Sequence, residues 1–362
     1  MRRVHPQTAT RISRMTIRIL HIAHQQLRKF GNTRVSWGRK LDFGFIKAGY
    51  DLHNFSDRDV AAFESPLGIR PWGKKRANQR LLEMVEHAEP DLVVAGHCDT
   101  IYHSTLAEIR RMRPNVKIAH INCDPLFVPS NVERIKLRGE VSDAVFVSTG
   151  KKVLDQVFAN TPAPVYHMPN SVEPTVERFD VSTQQETKSD LLFCSKSTEY
   201  TTRGQMVSWL RQELPTSFTF RTPGSFGEPG VWALDYDRAL ANTKMGLNLN
   251  RQEGDYWYSS DRMAHFGGNG VLVVTHAANR FDTLFPDETL VYFNNQEELR
   301  DRLVEFHNDD AKRRDWAGRT RKFFHEHMNA TQHAKYIVEK TMGLPLSEDY
   351  VWERELPAIP TA

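Results

Sequence analysis

Ser259, Ser260 and Arg262 stand together at the one place in this chain where residue types and spacing most clearly suggest chemistry. The segment reads KMGLNLN (244–250), RQEGDYWYSS (251–260), DRMAHFGGNG (261–270) and then VLVVT (271–275). An apolar strand runs into a polar, aromatic loop, and a short helix opened by the two serines follows. A strand that delivers the chain to a helix N-terminus makes an anion site. The unpaired first-turn N–H groups and the helix dipole favour a phosphate, and a nearby guanidinium strengthens it. Lys196, Arg203 and Arg251 lie on loops at the same strand ends and add cations suited to a diphosphate. Tyr258, with Tyr256 and Trp257, offers an aromatic surface for a base or sugar ring, though packing against another domain explains these rings equally well. The serines are equally good helix caps, a role compatible with phosphate binding.

A second group of polar residues occupies the N-terminal half. The first strand ends at His24, and a later one at His97 and Asp99. The next ends at Asn122 and Asp124. A reaction that removes a proton from a hydroxyl needs a carboxylate or an imidazole. Asp124 is the first candidate base and His24 the second, with His97, Asp99 and Asn122 as substrate-binding groups. Asp124 precedes Pro125, so a turn role competes. The pair Asp57 and Asp59 resembles a metal-binding Asp-x-Asp, but a turn or cap explains it better. His325 and His327 are two apart, which puts them on different faces of a helix. No metal ligands are expected.

These groups need a scaffold, and the hydrophobic pattern supplies one. From residue 16 onward, short apolar runs alternate with amphipathic stretches: 16–22, 51–55, 91–96, 116–121, 143–148 and 164–168. Such alternation predicts a parallel sheet covered on both faces by helices. Residues 171–189 are polar, hold Pro174 and lack periodicity, which marks a linker. The plan then restarts at 190–194 and continues through 245–250, 271–275 and 289–293. Helices are expected at 296–307, with a Glu298/Arg302 pair outside, and near 310–327 and 331–342. The expected division is a disordered basic leader (1–15), an N-terminal Rossmann-like domain (16–172), a linker (173–189), a C-terminal Rossmann-like domain (190–330), and a crossing helix with tail (331–362). Ligands of such sheets sit beyond the C-terminal strand ends, so the polar groups above face a cleft.

Bulk properties narrow the class. At 362 residues two domains of roughly 150 residues each are expected. A net charge of +3 argues against nucleic acid as a partner. Cys98, Cys123 and Cys194 are widely spaced and odd in number, which fits a reducing cytoplasm. No apolar run reaches the ~20 residues of a membrane span. The leader carries four arginines and no acid, so peripheral contact with the inner membrane surface stays open.

The doubled α/β plan, the INCDP (121–125), SDAVFVST (142–149), MPNSVEP (168–174) and LLFCSKSTEYTTR (191–203) segments, and above all the run from MGLNLN to the helix at 296–307, resemble the GT-B glycosyltransferases. Within them the chain looks most like the spore-maturation-type bacterial enzymes. The resemblance spans most of residues 16–340 and is more specific in the C-terminal half. It implies a metal-independent glycosyltransferase that needs no cofactor beyond its nucleotide-sugar co-substrate. The C-terminal domain would take the donor and the N-terminal domain a glycan or lipid-linked acceptor. It also implies that the helix carrying Arg262 holds the nucleotide diphosphate. One departure stands out. Relatives carry Arg-x-x-Glu, with the acid on the donor ribose, where this chain has Arg262 and His265. Trp257 also stands where retaining relatives place a second glutamate. An imidazole can still bond a ribose hydroxyl, so His265 is assigned to the donor. Two rival readings are an inactive nucleotide- or sugar-binding protein and a nucleotide-sugar epimerase. A nucleotide-sugar epimerase or dehydrogenase would want a GxGxxG turn after a first strand, and neither first strand has one.

Overall fold

The computed structural model describes residues 16–27 and 37–354. The basic leader expected at 1–15 lies outside the described residues. The first half runs β1 (Arg18–Ile22), α1 (Trp37–Lys47), β2 (Asp51–Phe55), α2 (Asp57–Phe63), α3 (Arg70–Ala88), β3 (Leu92–Ala95), α4 (His103–Met112), β4 (Lys117–Asn122), α5 (Pro129–Gly139), β5 (Ala144–Val147), α6 (Lys151–Val157) and β6 (Val165–His167). The second runs β7 (Ser189–Leu192), α7 (Thr202–Glu213), β8 (Phe220–Arg221), α8 (Leu234–Leu240), β9 (Thr243–Asn248), α9 (Asp261–Gly268), β10 (Leu272–His276), β11 (Val291–Phe293), α10 (Gln296–Asn308), α11 (Asp310–His327) and α12 (Ala330–Met342).

Two parallel sheets result, ordered β2-β1-β3-β4-β5-β6 and β11-β10-β9-β7-β8. Their central strands are buried throughout: β3 and β5 expose nothing, and Ile22 pairs with Ala95, which pairs with His120. Burial on both faces is why these strands read as unbroken apolar runs rather than alternating ones. Each sheet reverses its strand order once, between β1 and β3 and between β7 and β9. Those switch points open crevices at the C-terminal strand ends. Among the described residues no helix is long and apolar enough to cross a membrane.

The last helix returns to the first domain. α12 packs on α1, β4 and β5, and Tyr336 sits edge-on to Phe146 at 5.7 Å. A capping box at Asn329 and Gln332 starts α12, and Gly343 in the left-handed region (φ 68) ends it. The polar stretch after β6 is no loose tether. Ser171, Val172, Glu173, Glu177 and Val181 are buried within it. Val172 exchanges backbone hydrogen bonds with Met328 and Ala330, and Arg313 donates to the Val181 and Gln184 carbonyls. Two expectations fail locally. Glu298 accepts from the Asn294 backbone and side chain while Arg302 pairs with Glu305, so no Glu298/Arg302 pair forms. The helix α5 had no counterpart in the sequence reading.

Candidate functional site

The β1/β3 crevice holds a cavity of about 360 Å³ lined by Ala23, His24, Gln26, Trp37, Gly38, Arg58, His97, Ile121, Cys123 and Asp124. Three of the residues singled out in this half, His24, His97 and Asp124, meet here. His24 Nε2 lies 3.7 Å from Asp59 Oδ1. Burial outweighs that carboxylate and lowers the imidazole pKa below its ordinary 6.5, which keeps the ring neutral at pH 7. Asp59 is itself fixed, accepting from the Ser56 hydroxyl at 2.6 Å and the Leu27 amide at 2.8 Å. Asp124 faces different company. Its Oδ2 accepts from Arg134 at 2.6 Å and lies 3.3 Å from His97 Nδ1.

Asp99 and Asn122 do not line this cavity. Asp99 is held by Arg58 through two hydrogen bonds of 2.9 and 3.1 Å. Burial works to raise its carboxyl, and the guanidinium outweighs burial and holds it below the ordinary value. Asn122 is buried and its carbonyl oxygen accepts from the Asp124 amide at 2.7 Å, so it shapes the turn that presents Asp124. Asp57, paired with Asp59 in the sequence reading, is buried in the first turn of α2 and accepts from the Thr100 hydroxyl at 2.7 Å. Among the described residues no group of three or more His, Cys, Asp or Glu side chains is placed to hold a metal ion.

The β7/β9 crevice gathers the cations. Arg262 reaches across it from α9: one guanidinium nitrogen donates to the Leu249 carbonyl at 2.6 Å, another to the Cys194 carbonyl at 3.4 Å. It thereby ties the end of β9 to the end of β7 and forms a charged floor rather than a free arm. Arg203, half-buried at the start of α7, has its pKa pushed down to about 10 by burial and then by the charges of Arg262 and Arg251. The charges of Arg262 and Arg251 both reach Arg203, which makes this end of the crevice electropositive. Glu253 is the carboxylate that partly offsets them. Lys196 is exposed, lies over the Trp232 ring at 5.8 Å, and offers its carbonyl to Arg203 at 3.0 Å.

The aromatic loop is mostly interface. Tyr256 and Trp257 stack at 4.9 Å, and the Gly150 amide at the start of α6 donates to the Tyr256 carbonyl at 2.8 Å. Trp257 is buried with a left-handed backbone (φ 55), secured by its indole N–H to Arg280 O and Thr283 Oγ1. Tyr258 is buried too. Its hydroxyl pKa is raised chiefly by burial and then by Cys123 and Asp124, which puts it next to the first cavity's wall. Arg251 lies over the Phe127 ring at 5.3 Å and bridges the two domains in the same region. Ser259 is buried, and its carbonyl accepts from Asn170 at 2.8 Å. Ser260 takes the N-cap position of α9, but its hydroxyl lies 3.4 Å from Asn248 Oδ1 and does not cap.

His265 is not turned to the crevice. Its Nδ1 lies 2.6 Å from Glu177 Oε1 and its Nε2 3.1 Å from Asp261 Oδ2. Lys40 of α1 completes the cluster, with Nζ 2.8 Å from Asp261 and 3.1 Å from Glu177. Both imidazole nitrogens are therefore engaged by carboxylates, which leaves none for a ribose hydroxyl. The helix-start acid Asp261 also faces this clasp. Burial works against every charge here. The pairing still holds Glu177 and Asp261 below their ordinary pKa values and His265 above its own. Lys40, Glu177, Asp59, Glu253 and Trp37 were not foreseen as parts of the site. Asp59 alone carried a signal, in its place just after β2.

Residues 203–339 match a protein-family model described as glycosyl transferase-like. No curated protein matches the chain. Among solved structures, HepE of Anabaena in complex with UDP and glucose is similar at TM-score 0.55 and 11% identity, covering 91% of this chain and 100% of that one. Sucrose-phosphate synthase of Thermosynechococcus elongatus is similar at TM-score 0.59 and 11% identity, with the same coverage. A UDP-N-acetylglucosamine 2-epimerase is similar at TM-score 0.52 and 12% identity, covering 92% and 100%. The fold is thus that of the GT-B glycosyltransferases. The family match over the C-terminal domain and the fold together support a glycosyltransferase.

Proposed function

We propose that this chain transfers a sugar from a nucleotide-sugar donor to a hydroxyl of a glycan or lipid-linked acceptor, without a metal ion. One observation carries the reading: Arg262, which ties β9 to β7, and Arg251 both act on Arg203 at the switch point of the second sheet, with Glu253 the carboxylate that opposes them there. A diphosphate supplies further negative charge. In the reaction the same cations stabilise the departing nucleotide diphosphate, the service a metal ion performs elsewhere. Lys196 and Trp232 stand at the mouth of the crevice, and Tyr258 separates it from the acceptor cavity. The likeness to HepE, which binds UDP and glucose, makes a uridine nucleotide the first donor to try. Cytoplasmic location and the spore-maturation subtype are consistent with this reading.

The proton acceptor is His24, with Asp59 behind it to orient the ring and stabilise the imidazolium that forms. This order reverses the sequence expectation, because Arg134 and His97 already engage Asp124. Asp124 then serves to bind an acceptor hydroxyl. Cleft closure around Tyr258 would exclude water and hold the hydroxyl against the anomeric carbon.

The epimerase neighbour favours a second reading, epimerisation of the nucleotide sugar with no acceptor. The test is a thermal-shift series with UDP, GDP, dTDP, ADP and CMP on the wild type and on Arg203→Ala. A nucleotide at 100-fold excess over Kd stabilises by about 2.7 kcal/mol. Removing one charge-assisted contact costs about 1.5–3 kcal/mol of binding, roughly 10–150-fold in Kd. No shift with any nucleotide, or an undiminished shift in Arg203→Ala, overturns the donor site. Conversion of the nucleotide sugar without acceptor, at the full rate, selects the epimerase.

A further inference from the structure

The hairpin of α2 and α3 carries apolar surface that neither the core nor the cleft absorbs. Phe63 is 61% exposed, Leu67 69%, Ile69 39% and Trp72 64%, all within one short run of chain. Isolated exposed apolar residues are ordinary, but a contiguous group rimmed by charge marks an interaction surface. Gly73 fixes the hairpin's shape. A Cβ there would fall on the Ala61 carbonyl oxygen, so glycine lets the start of α3 cross α2 at close range.

Over the whole of 57–88 charge is nearly balanced, six cations against five acids, but the cations crowd beside the exposed apolar residues. Residues 63–82 hold Arg70, Lys74, Lys75, Arg76 and Arg80 against one acid, Glu64. Glu64 is shared between Arg76 and Arg80, and Arg80 pairs with Glu83 as well, which leaves Arg70 and Lys75 as the cations facing outward beside Trp72. The hairpin also adjoins the acceptor cavity. Arg58, in the first turn of α2, lines that cavity, and Lys74 Nζ donates to the Asp99 carbonyl at 3.2 Å.

We propose that this hairpin docks on an anionic lipid surface. Phe63, Leu67 and Trp72 enter the interface, and Arg70, Lys75 and Arg76 meet headgroup phosphates. Tryptophan beside a basic cluster is the composition such an interface selects. A stable protein partner would engage roughly 20–30 residues a side, well beyond this run. Docking here would set the mouth of the acceptor cavity near the bilayer, so the acceptor would be lipid-linked. That last consequence rests on the transferase reading; the surface itself does not.

The full chain is tested by sedimentation with phosphatidylcholine vesicles with and without about one-third phosphatidylglycerol. The wild type is expected to sediment with the anionic vesicles and to be released by salt. Phe63→Ser/Trp72→Ser should abolish retention, and Lys75→Gln and Arg76→Gln should each weaken it by about fivefold. No binding to anionic vesicles, or binding that these four substitutions leave intact, overturns the proposal. A concentration-dependent dimer that Trp72→Ser dissolves also overturns it and assigns the patch to a second copy of the chain. The nucleotide thermal shift, measured on the same variants, keeps the two readings separate. A protein that responds to nucleotide but ignores vesicles sinks only this inference, and the reverse result sinks only the donor assignment.

Discussion

Replacing Lys40 with methionine tests the clasp that joins α1, the segment after β6, and α9. Lys40 and His265 face Glu177 and Asp261, so the cluster balances two cations against two carboxylates. Lys40 and Glu177 are fully buried, which removes solvent as an alternative partner. Methionine fills much the same volume, so the loss is electrostatic. It leaves two carboxylates with one imidazolium. Removing one partner of a buried pair costs about 3–5 kcal/mol, because the surviving charge stays desolvated. Urea unfolding followed by tryptophan fluorescence gives the change in midpoint. The pH profile adds a second reading with a definite sign. Glu177 and Asp261 have lowered folded pKa values. Their contribution is complete above the ordinary values of 4.5 and 3.8 and is lost as pH falls through the folded ones. His265 has a raised value. Its contribution is complete below 6.5 and is lost as pH rises through the folded one. The clasp is therefore strongest between about pH 4.5 and 6.5, and His265→Gln should flatten the alkaline decline. A loss under about 1 kcal/mol for Lys40→Met, or an alkaline limb unchanged in His265→Gln, would refute the reasoning.

His24→Gln should lower transfer by about 10²–10⁴-fold while leaving the nucleotide thermal shift intact, as expected for a proton acceptor. Because burial lowers the His24 pKa, the acid limb of kcat/KM should lie below pH 6.5 and vanish in the variant. Gly150→Ala places a Cβ 2.5 Å from the Tyr256 ring and 3.0 Å from Trp257 Cβ. Gly150 has an ordinary backbone (φ −65), so the cost is steric, about 1–3 kcal/mol by urea midpoint, with transfer more impaired than nucleotide binding. An unchanged midpoint would mean that the aromatic loop is not seated on the first domain as described.

The sheets were legible because their strands are buried on both faces and announce themselves as apolar runs. α5 was not, since PSNVERIKLRG places Val132 and Ile135 among polar residues and begins with a proline that reads as a turn. At the site, strand ends gave the right neighbourhoods: His24, His97 and Asp124 do share one cavity, and Arg203, Arg251 and Arg262 one crevice. Local pattern could not give partners. His265 meets Glu177 from 88 residues away, and Asp261 meets Lys40 from 221. With neither partner in view, the imidazole beside Arg262 looked like a ligand-binding group, when it is a cross-domain tie. Arg262 stands in the first turn of α9, as its sequence context suggests, but its bonds were not legible, because the Cys194 carbonyl it holds lies 68 residues upstream.

The return of α12 also sets the order of events during synthesis. Tyr336 rests on Phe146 and Tyr166, and Ile337 is wholly enclosed, so the first sheet's α1 side is covered by a segment translated long after its own strands. The end of β6 and the end of α12 lie 175 residues apart (167 to 342). At ribosomal speeds of about 5–20 residues per second, the nascent first domain waits roughly 10–35 s with that face bare. The second domain is in effect an insertion into the first. A fragment ending near residue 190 would carry every strand of the first sheet and still lack its lid. It would therefore depend on chaperones, or on α12 supplied as a separate peptide, to stay in solution.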